Sequence, residues 1–319
     1  MQRGRGGVVA LLVAALVGCT PAQQPPLVLG TVPWVGTEPL FLASQLGLYP
    51  EGQIHLAEYM NTPQRLQAFR NGVIDAVTLT LDDVLGLQQF GQPLRVVLVL
   101  DASHGADCLV ARPEVKTLAD LKGLRVASED MLLPTYMLHR ALEQVGLRGE
   151  DIRRSFHNPD EQEAVFRRGE AEAVVSYEPY CQRLVAAGAH TLFDSARIPG
   201  EIIDVLVVRE SYLQAHPERV DLLVRGWFAA LAHFQAHPSE DARRMAPRLA
   251  LDEAQVLESM KGVRFPDPNE QRTLLGGSQP RLVETMDRLA ALMLEQQLLP
   301  GPPNTRHLID TQPLLRVAP

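Results

Sequence analysis

Residues 95–112 read RVVLVLDASHGADCLVAR. An apolar run at 96–100 ends in Asp101-Ala102-Ser103-His104-Gly105-Ala106-Asp107, and a second run at 108–111 leads into Arg112-Pro113. An apolar run bounded by turn residues reads as a buried strand. The stretch is therefore strand, polar loop, strand. The first strand closes one lobe, the second opens another, and the polar loop looks into the gap between them.

The flanking chain fits two lobes of similar build. Upstream, strands are expected at 27–32, 54–59 and 74–79, with helices at 40–46, 62–70 and 84–90. Pro63 suits the first turn of the second helix, which Thr62 can cap. Downstream, strands are expected at 124–127, 153–157 and 171–176, with helices at 135–145 and 161–168. The two halves also match in sequence. Phe69-Arg70-Asn71-Gly72-Val73-Ile74-Asp75-Ala76-Val77 aligns without gaps on Phe166-Arg167-Arg168-Gly169-Glu170-Ala171-Glu172-Ala173-Val174. Gly47-Leu48 is likewise paralleled by Gly146-Leu147. Such a repeat marks two βαβ-type units. Asp75 reads as a turn residue fixing the Gly72 geometry. A strand at 202–208 returns the chain to the first lobe, and helices at 217–237, 240–249, 252–261 and 280–298 complete it. The resulting division is 27–108 for the first part of lobe one, 109–205 for lobe two and 206–319 for the return and the C-terminal helices.

Ligands of open α/β sheets sit beyond the carboxyl ends of the strands. Lobe one then offers loops bearing Trp34, Thr37, Asp82, Asp83, Asp101 and Asp107, and lobe two offers Glu129, Asp130, Tyr136 and Glu178. Trp34 lies among Gly and Pro residues, which favours a loop ring stacking on a ligand over core packing. Glu178 reads equally as a ligand acceptor or as a lobe-closing partner for a basic side chain. Asp82 or Asp83 can instead cap the helix behind it. Met131, Leu132 and Leu133 make part of the cleft apolar. No arginine or lysine falls on these loops, so the cleft is expected to repel anions and welcome amines or other donors.

The chain has 319 residues, 46% hydrophobic and 21% charged, enough for two medium lobes. A net charge of −8 with no basic run excludes nucleic acid as the main partner. Residues 1–18 read as a signal segment: Arg3 and Arg5 precede an apolar stretch at 8–17 that is too short to span a bilayer. It ends in Leu16-Val17-Gly18-Cys19, which resembles a bacterial lipobox. This favours lipidation at Cys19 over an ordinary secretory signal, with 19–26 as a tether holding the protein on the extracytoplasmic face of a cell or outer membrane. Cys108 and Cys181 are the cysteines left in the mature chain. An oxidising compartment permits their pairing, but the apolar run around Cys108 favours a buried free thiol. No GxSxG, Walker, GxGxxG or HExxH motif occurs, and His233 and His237 lack an acidic partner between them, so no catalytic, cofactor or metal site is expected.

The order and spacing of several motifs resemble the solute-binding proteins of ABC importers, in the nitrate/taurine/sulfonate and thiamine-precursor-like group. The motifs are Trp34-Val35-Gly36-Thr37-Glu38-Pro39-Leu40; Phe69-Arg70 with Gly72 and Asp75-Ala76; Asp101-Ala102-Ser103 with Gly105-Ala106-Asp107; Leu118-Ala119-Asp120-Leu121-Lys122-Gly123; and Glu178-Pro179. The resemblance implies an α/β two-lobe periplasmic-binding-protein type II fold, a monomer that closes over a small molecule and delivers it to a membrane permease. A ligand sensor for a receptor kinase, or an enzyme of the pyrimidine-precursor branch, are the other uses of such a fold. One departure stands out. Relatives place a small Gly-Ser/Thr segment after the first strand of lobe two, to hold an anion at a helix start. Here Glu129-Asp130-Met131-Leu132-Leu133-Pro134 stands in its place, against sulfonate or nitrate.

Overall fold

The polar loop between the two central apolar runs is shorter than its composition implies. In the computed structural model, which describes residues 25–317, the strand Leu94–Ser103 runs on through Asp101-Ala102-Ser103. Only residues 104–106 turn before the next strand, Asp107–Ala111. The extension has a partner: Ala102 and Asp101 pair with Ile203 and Asp204 of the returning strand. Asp101 is thus a buried strand residue and Asp107 the first residue of the following strand.

The strands are β1 (Leu27–Thr31), β2 (Ile54–Glu58), β3 (Ala76–Thr80), β4 (Leu94–Ser103), β5 (Asp107–Ala111), β6 (Arg125–Ser128), β7 (Arg153–Phe156), β8 (Ala173–Tyr177), β9 (His190–Asp194), β10 (Ile203–Arg209) and β11 (Val263–Arg264). They form two sheets, ordered β11-β4-β10-β3-β1-β2 and β7-β6-β8-β5-β9. The chain passes between the sheets after β4 and again before β10. Each sheet mixes parallel pairs from βαβ units with antiparallel strands. The strand β9 and the helix Tyr180–Ala186 carry no strong pattern in the sequence. They form because β9 finishes the edge beside β5 and the helix covers that face. The helices Pro217–Ala236, Pro238–Leu249, Glu253–Lys261 and Arg281–Glu295 fall where the helical spacing puts them, within a few residues. Pro268–Leu275 is an additional helix, opened by Asp267, whose side chain accepts from Asn269 N and Glu270 N.

The sequence repeat is a structural repeat. Gly72 and Gly169 both hold left-handed backbone, at φ 75° and 76°, a conformation open to glycine at little steric cost. Asp75 and Glu172 do more than shape their turns. Asp75 Oδ2 accepts from Val28 N at 3.0 Å, and Glu172 Oε2 accepts from Arg125 N at 2.8 Å. In return Asp75 N donates to Val28 O and Glu172 N to Arg125 O. Each acid therefore clamps the start of the neighbouring parallel strand, setting Leu29 opposite Ala76 in one sheet and Val126 opposite Ala173 in the other.

The helix Tyr180–Ala186 brings Cys181 over β5, with its Cα 6.3 Å from that of Cys108, and the two form a disulfide. The expected free thiol is thus overturned. Cys108 lies in an apolar run because that face of β5 is packed, and Cys181 approaches from the covering helix. The signal segment, Cys19 and the tether as far as residue 24 lie outside the described residues. Among the described residues no helix is long and apolar enough to cross a membrane.

Candidate ligand-binding site

The two lobes face one cleft with about 680 Å³ of empty space. Lobe one supplies Val32, Trp34, Thr37, Thr62, Arg65, Thr78, Thr80, Asp83 and, from β10, Asp204. Lobe two supplies Asp107, Glu129, Met131, Leu133, Pro134, Met137 and the β8 end, Val175-Ser176-Tyr177. These are strand ends and the loops that follow them, as sheet geometry requires.

Trp34 is fixed from behind. Its Nε1 donates to Asp101 Oδ2 at 3.2 Å, and its ring meets Tyr177 edge-on with centroids 6.0 Å apart. Gly36 makes this possible: a Cβ there would come within 2.2 Å of both Asp101 Oδ2 and Trp34 Nε1. A chain of hydroxyls forms the floor. Thr78 donates to Thr31, Thr31 to Thr37, and Thr37 to Trp34 O, at 3.2, 3.3 and 3.0 Å.

An arginine does enter the cleft, against the reading of the loops. Arg65 projects from the helix Thr62–Arg70, where helical spacing puts it on the buried face with Thr62 and Phe69. It lies 3.3 Å from Asp83 Oδ2 and donates to Thr78 and Thr62 at 3.3 and 3.4 Å. Its charge is met within lobe one. No signal in the loops points to Arg65; the heptad-like position on a buried helix face does.

The carboxyl groups around this arginine are many and buried. Burial pushes Asp107 up to about 7, with the Asp82 charge adding to it. Burial likewise raises Asp101 to about 7 and, reinforced by Asp82, Asp83 to about 8. Asp204 stands well above the usual carboxylate range through burial and then Asp101. Asp101 and Asp204 are cross-strand partners, and the Asp101 charge adds to the rise of Asp204. The register of β4 and β10 is irregular next to Asp204, which lines the cleft. Burial also raises Glu129, and the Thr62 backbone amide of the opposite lobe opposes that rise.

Of the residues expected to meet a ligand, Trp34, Thr37, Asp107 and Glu129 line this cleft. Asp101 stands one layer back, behind Trp34. Asp82 is buried in the first turn of the helix Leu81–Gln88 and does not line the cleft. Tyr136 points elsewhere: its hydroxyl donates to Glu201, and Arg140 donates to it. Glu178 turns away as well. Its Oε2 accepts from Gln182 N at 3.2 Å, holding the start of a helix, beside a groove lined by Cys181 and Ser259. Asp83, Arg65 and Asp204 enter instead.

The lobes touch directly. Asn61 Nδ2 donates to Asn158 Oδ1 across the cleft at 3.2 Å, and the two residues hold the same place in the repeat, eight before Phe69 and Phe166. The hinge is tied by hydroxyls: Ser103 and Ser195 Oγ are 2.7 Å apart, and Gly105 N and Asp107 N donate to them.

Two α/β lobes joined by a double crossing, with a lined cleft between them, define the periplasmic-binding-protein class. The chain belongs to the NMT1-like family, whose model matches residues 20–250. A candidate aliphatic sulfonates-binding protein of Escherichia coli (strain K12) is 29% identical over 193 residues, 59% of this chain. That match spans 58% of the relative, under two thirds of its length. The taurine-binding periplasmic protein of the same organism is 24% identical over 222 residues, covering 66% of this chain and 68% of that one. In fold, the chain is similar to the periplasmic aliphatic sulphonate binding protein from Escherichia coli, with a TM-score of 0.74, 22% identity and coverage of 90% and 98%. A desulfurization enzyme shares the fold at a TM-score of 0.66, with 17% identity and coverage of 92% and 99%.

Proposed function

We propose that the protein is an extracytoplasmic solute-binding protein that captures a small organic molecule between its lobes and delivers it to an ABC importer. The observation that carries this reading is the cleft itself. Both lobes line it, apolar walls surround a few fixed polar groups, and the lobes are linked by a double crossing that permits hinged closure. Trp34, Thr37, Asp107 and Glu129 are its contacts, with Arg65 and Asp204 beside them. Binding shifts an open–closed equilibrium, and the permease reads the closed form. The chain acts as a monomer, held at the membrane by a lipid on Cys19, and neither nucleic acid nor a cofactor enters this scheme.

Deleting the gene tests the role. Loss of uptake of one solute class, with the bound solute recovered unchanged from the protein, supports import. Normal uptake with loss of a transcriptional response would identify a sensor for a receptor kinase. Conversion of the solute would identify an enzyme.

A further inference from the structure

We propose that the cleft takes an organic cation, a ligand that presents a protonated nitrogen to Asp107 and Glu129 and lays an apolar body against Trp34, Met131 and Leu133. This names the ligand class of the solute-binding reading above and rests on it. Asp107 is 4% exposed and Glu129 5%; Asp107 Oδ2 and Glu129 Oε1 are buried without any partner. Both side chains line the cleft from lobe two, and Arg65 lines it from lobe one. A buried carboxylate oxygen lacking a donor is strongly unfavourable, so each oxygen marks a place where a donor belongs.

The protein does not supply that donor. Arg65 is the basic side chain in the cleft lining among the described residues, and Asp83 already answers its charge. Asp204 adds a carboxyl group to the lining, and Asp82 and Asp101 lie near enough to Asp107 for their charges to interact with it. A net anion entering here meets Asp107 and Glu129 with no free cation to offset them. An ammonium group instead donates charge-assisted hydrogen bonds to both unpartnered oxygens. Arg65 Nε and Ser176 Oγ are also buried without partners, so the ligand carries a hydrogen-bond acceptor elsewhere on its frame. The apolar wall of Val32, Trp34, Met131, Leu133 and Met137 sets the rest of the molecule.

Matched probes test this on the mature chain by thermal shift and calorimetry. Benzylamine and hexylamine are compared with benzyl alcohol, benzenesulfonate and hexanesulfonate, and taurine with ethanesulfonate. The amines are expected to stabilise and their nitrogen-free counterparts not to. Asp107→Asn and Glu129→Gln should each weaken the amine by about tenfold or more, while a remote exchange, Glu201→Gln, leaves it unchanged. Intact cooperative melts of the variants separate loss of binding from misfolding. A preference for sulfonates, or amine binding that both variants retain, would overturn the cation class and leave the solute-binding reading standing. Failure of every amine to bind would also overturn it; the uptake phenotype of the gene deletion then decides the broader reading separately.

Discussion

At the scale of single residues, the cleft is a store of protons. Asp101 and Asp107 titrate near 7 and Asp83 near 8, against about 3.9 in an unfolded chain. The native state therefore binds more protons than the unfolded state between about pH 4 and 8. Stability falls as pH rises through that window and levels off above it. Asp107 is surrounded by Asp82, Asp101, Asp204, Glu178 and Tyr177, and these groups share the effect. Asp107→Asn is expected to melt above wild type at pH 8, with the gap closing toward pH 5; a pH series of melts reads it. Gly36 gives a second prediction. Gly36→Ala forces Trp34 and Asp101 apart and should destabilise by roughly 1–3 kcal/mol, visible as a lower Tm and a change in the fluorescence of one of the chain's two tryptophans. Glu129 and Trp34 were legible from the sequence because each lies in a loop that follows a strand, and Asp107 because it closes the short polar turn between two apolar runs. Arg65 was not, since its place in the cleft depends on a helix packing its charged face inward against Asp83.

At the scale of elements, the repeat carried most of the information. Its nine aligned positions located β3 and β8, their preceding helices and the glycine stops between them, because a glycine with an acid three residues on has one job in both lobes. Gly72→Ala and Gly169→Ala should each destabilise by about 1 kcal/mol or more, and the two effects should add, as the sites lie in different lobes; denaturant melts of the singles and the double check this. The elements without such a signature, β9 and the helix Tyr180–Ala186, were invisible because neighbours rather than local sequence define them. The disulfide went unseen for the same reason: pairing depends on that helix lying across β5. With Cys108 and Cys181 at a sequence separation of 73, the chain-entropy model gives the bond about 4 kcal/mol. Replacing both cysteines by alanine should lower the denaturant midpoint accordingly, and reductant should do the same to the wild type but not to the variant.

At the scale of the whole molecule, closure rests on few interlobe contacts, with Asn61 and Asn158 among them. Asn61→Ala is expected to weaken ligand binding a few-fold and to lower the melting temperature of the free protein slightly, since Asn61 also caps the helix Thr62–Arg70 by accepting from Gln64 N and such a cap is worth about 1 kcal/mol; titration and melts together test it. On the proposed lipidation, Cys19→Ser should move the protein from the detergent-extracted membrane fraction into the soluble envelope fraction. The two-lobe plan was readable because the apolar runs around Asp101–Asp107 demanded two sheets, while the way the lobes meet was not, since no local pattern encodes a contact between residues 97 positions apart. The double crossing has a further consequence. Every strand of the second sheet lies between Asp107 and Asp194, and those two ends run side by side, with Cys108 opposite Asp194. That half is in effect a cassette with adjacent termini and its own covalent staple. Exchange of that half between homologous scaffolds at the two serines of the hinge is expected to replace the lobe-two side of the cleft while leaving residues 25–103 and 195–317 as they were.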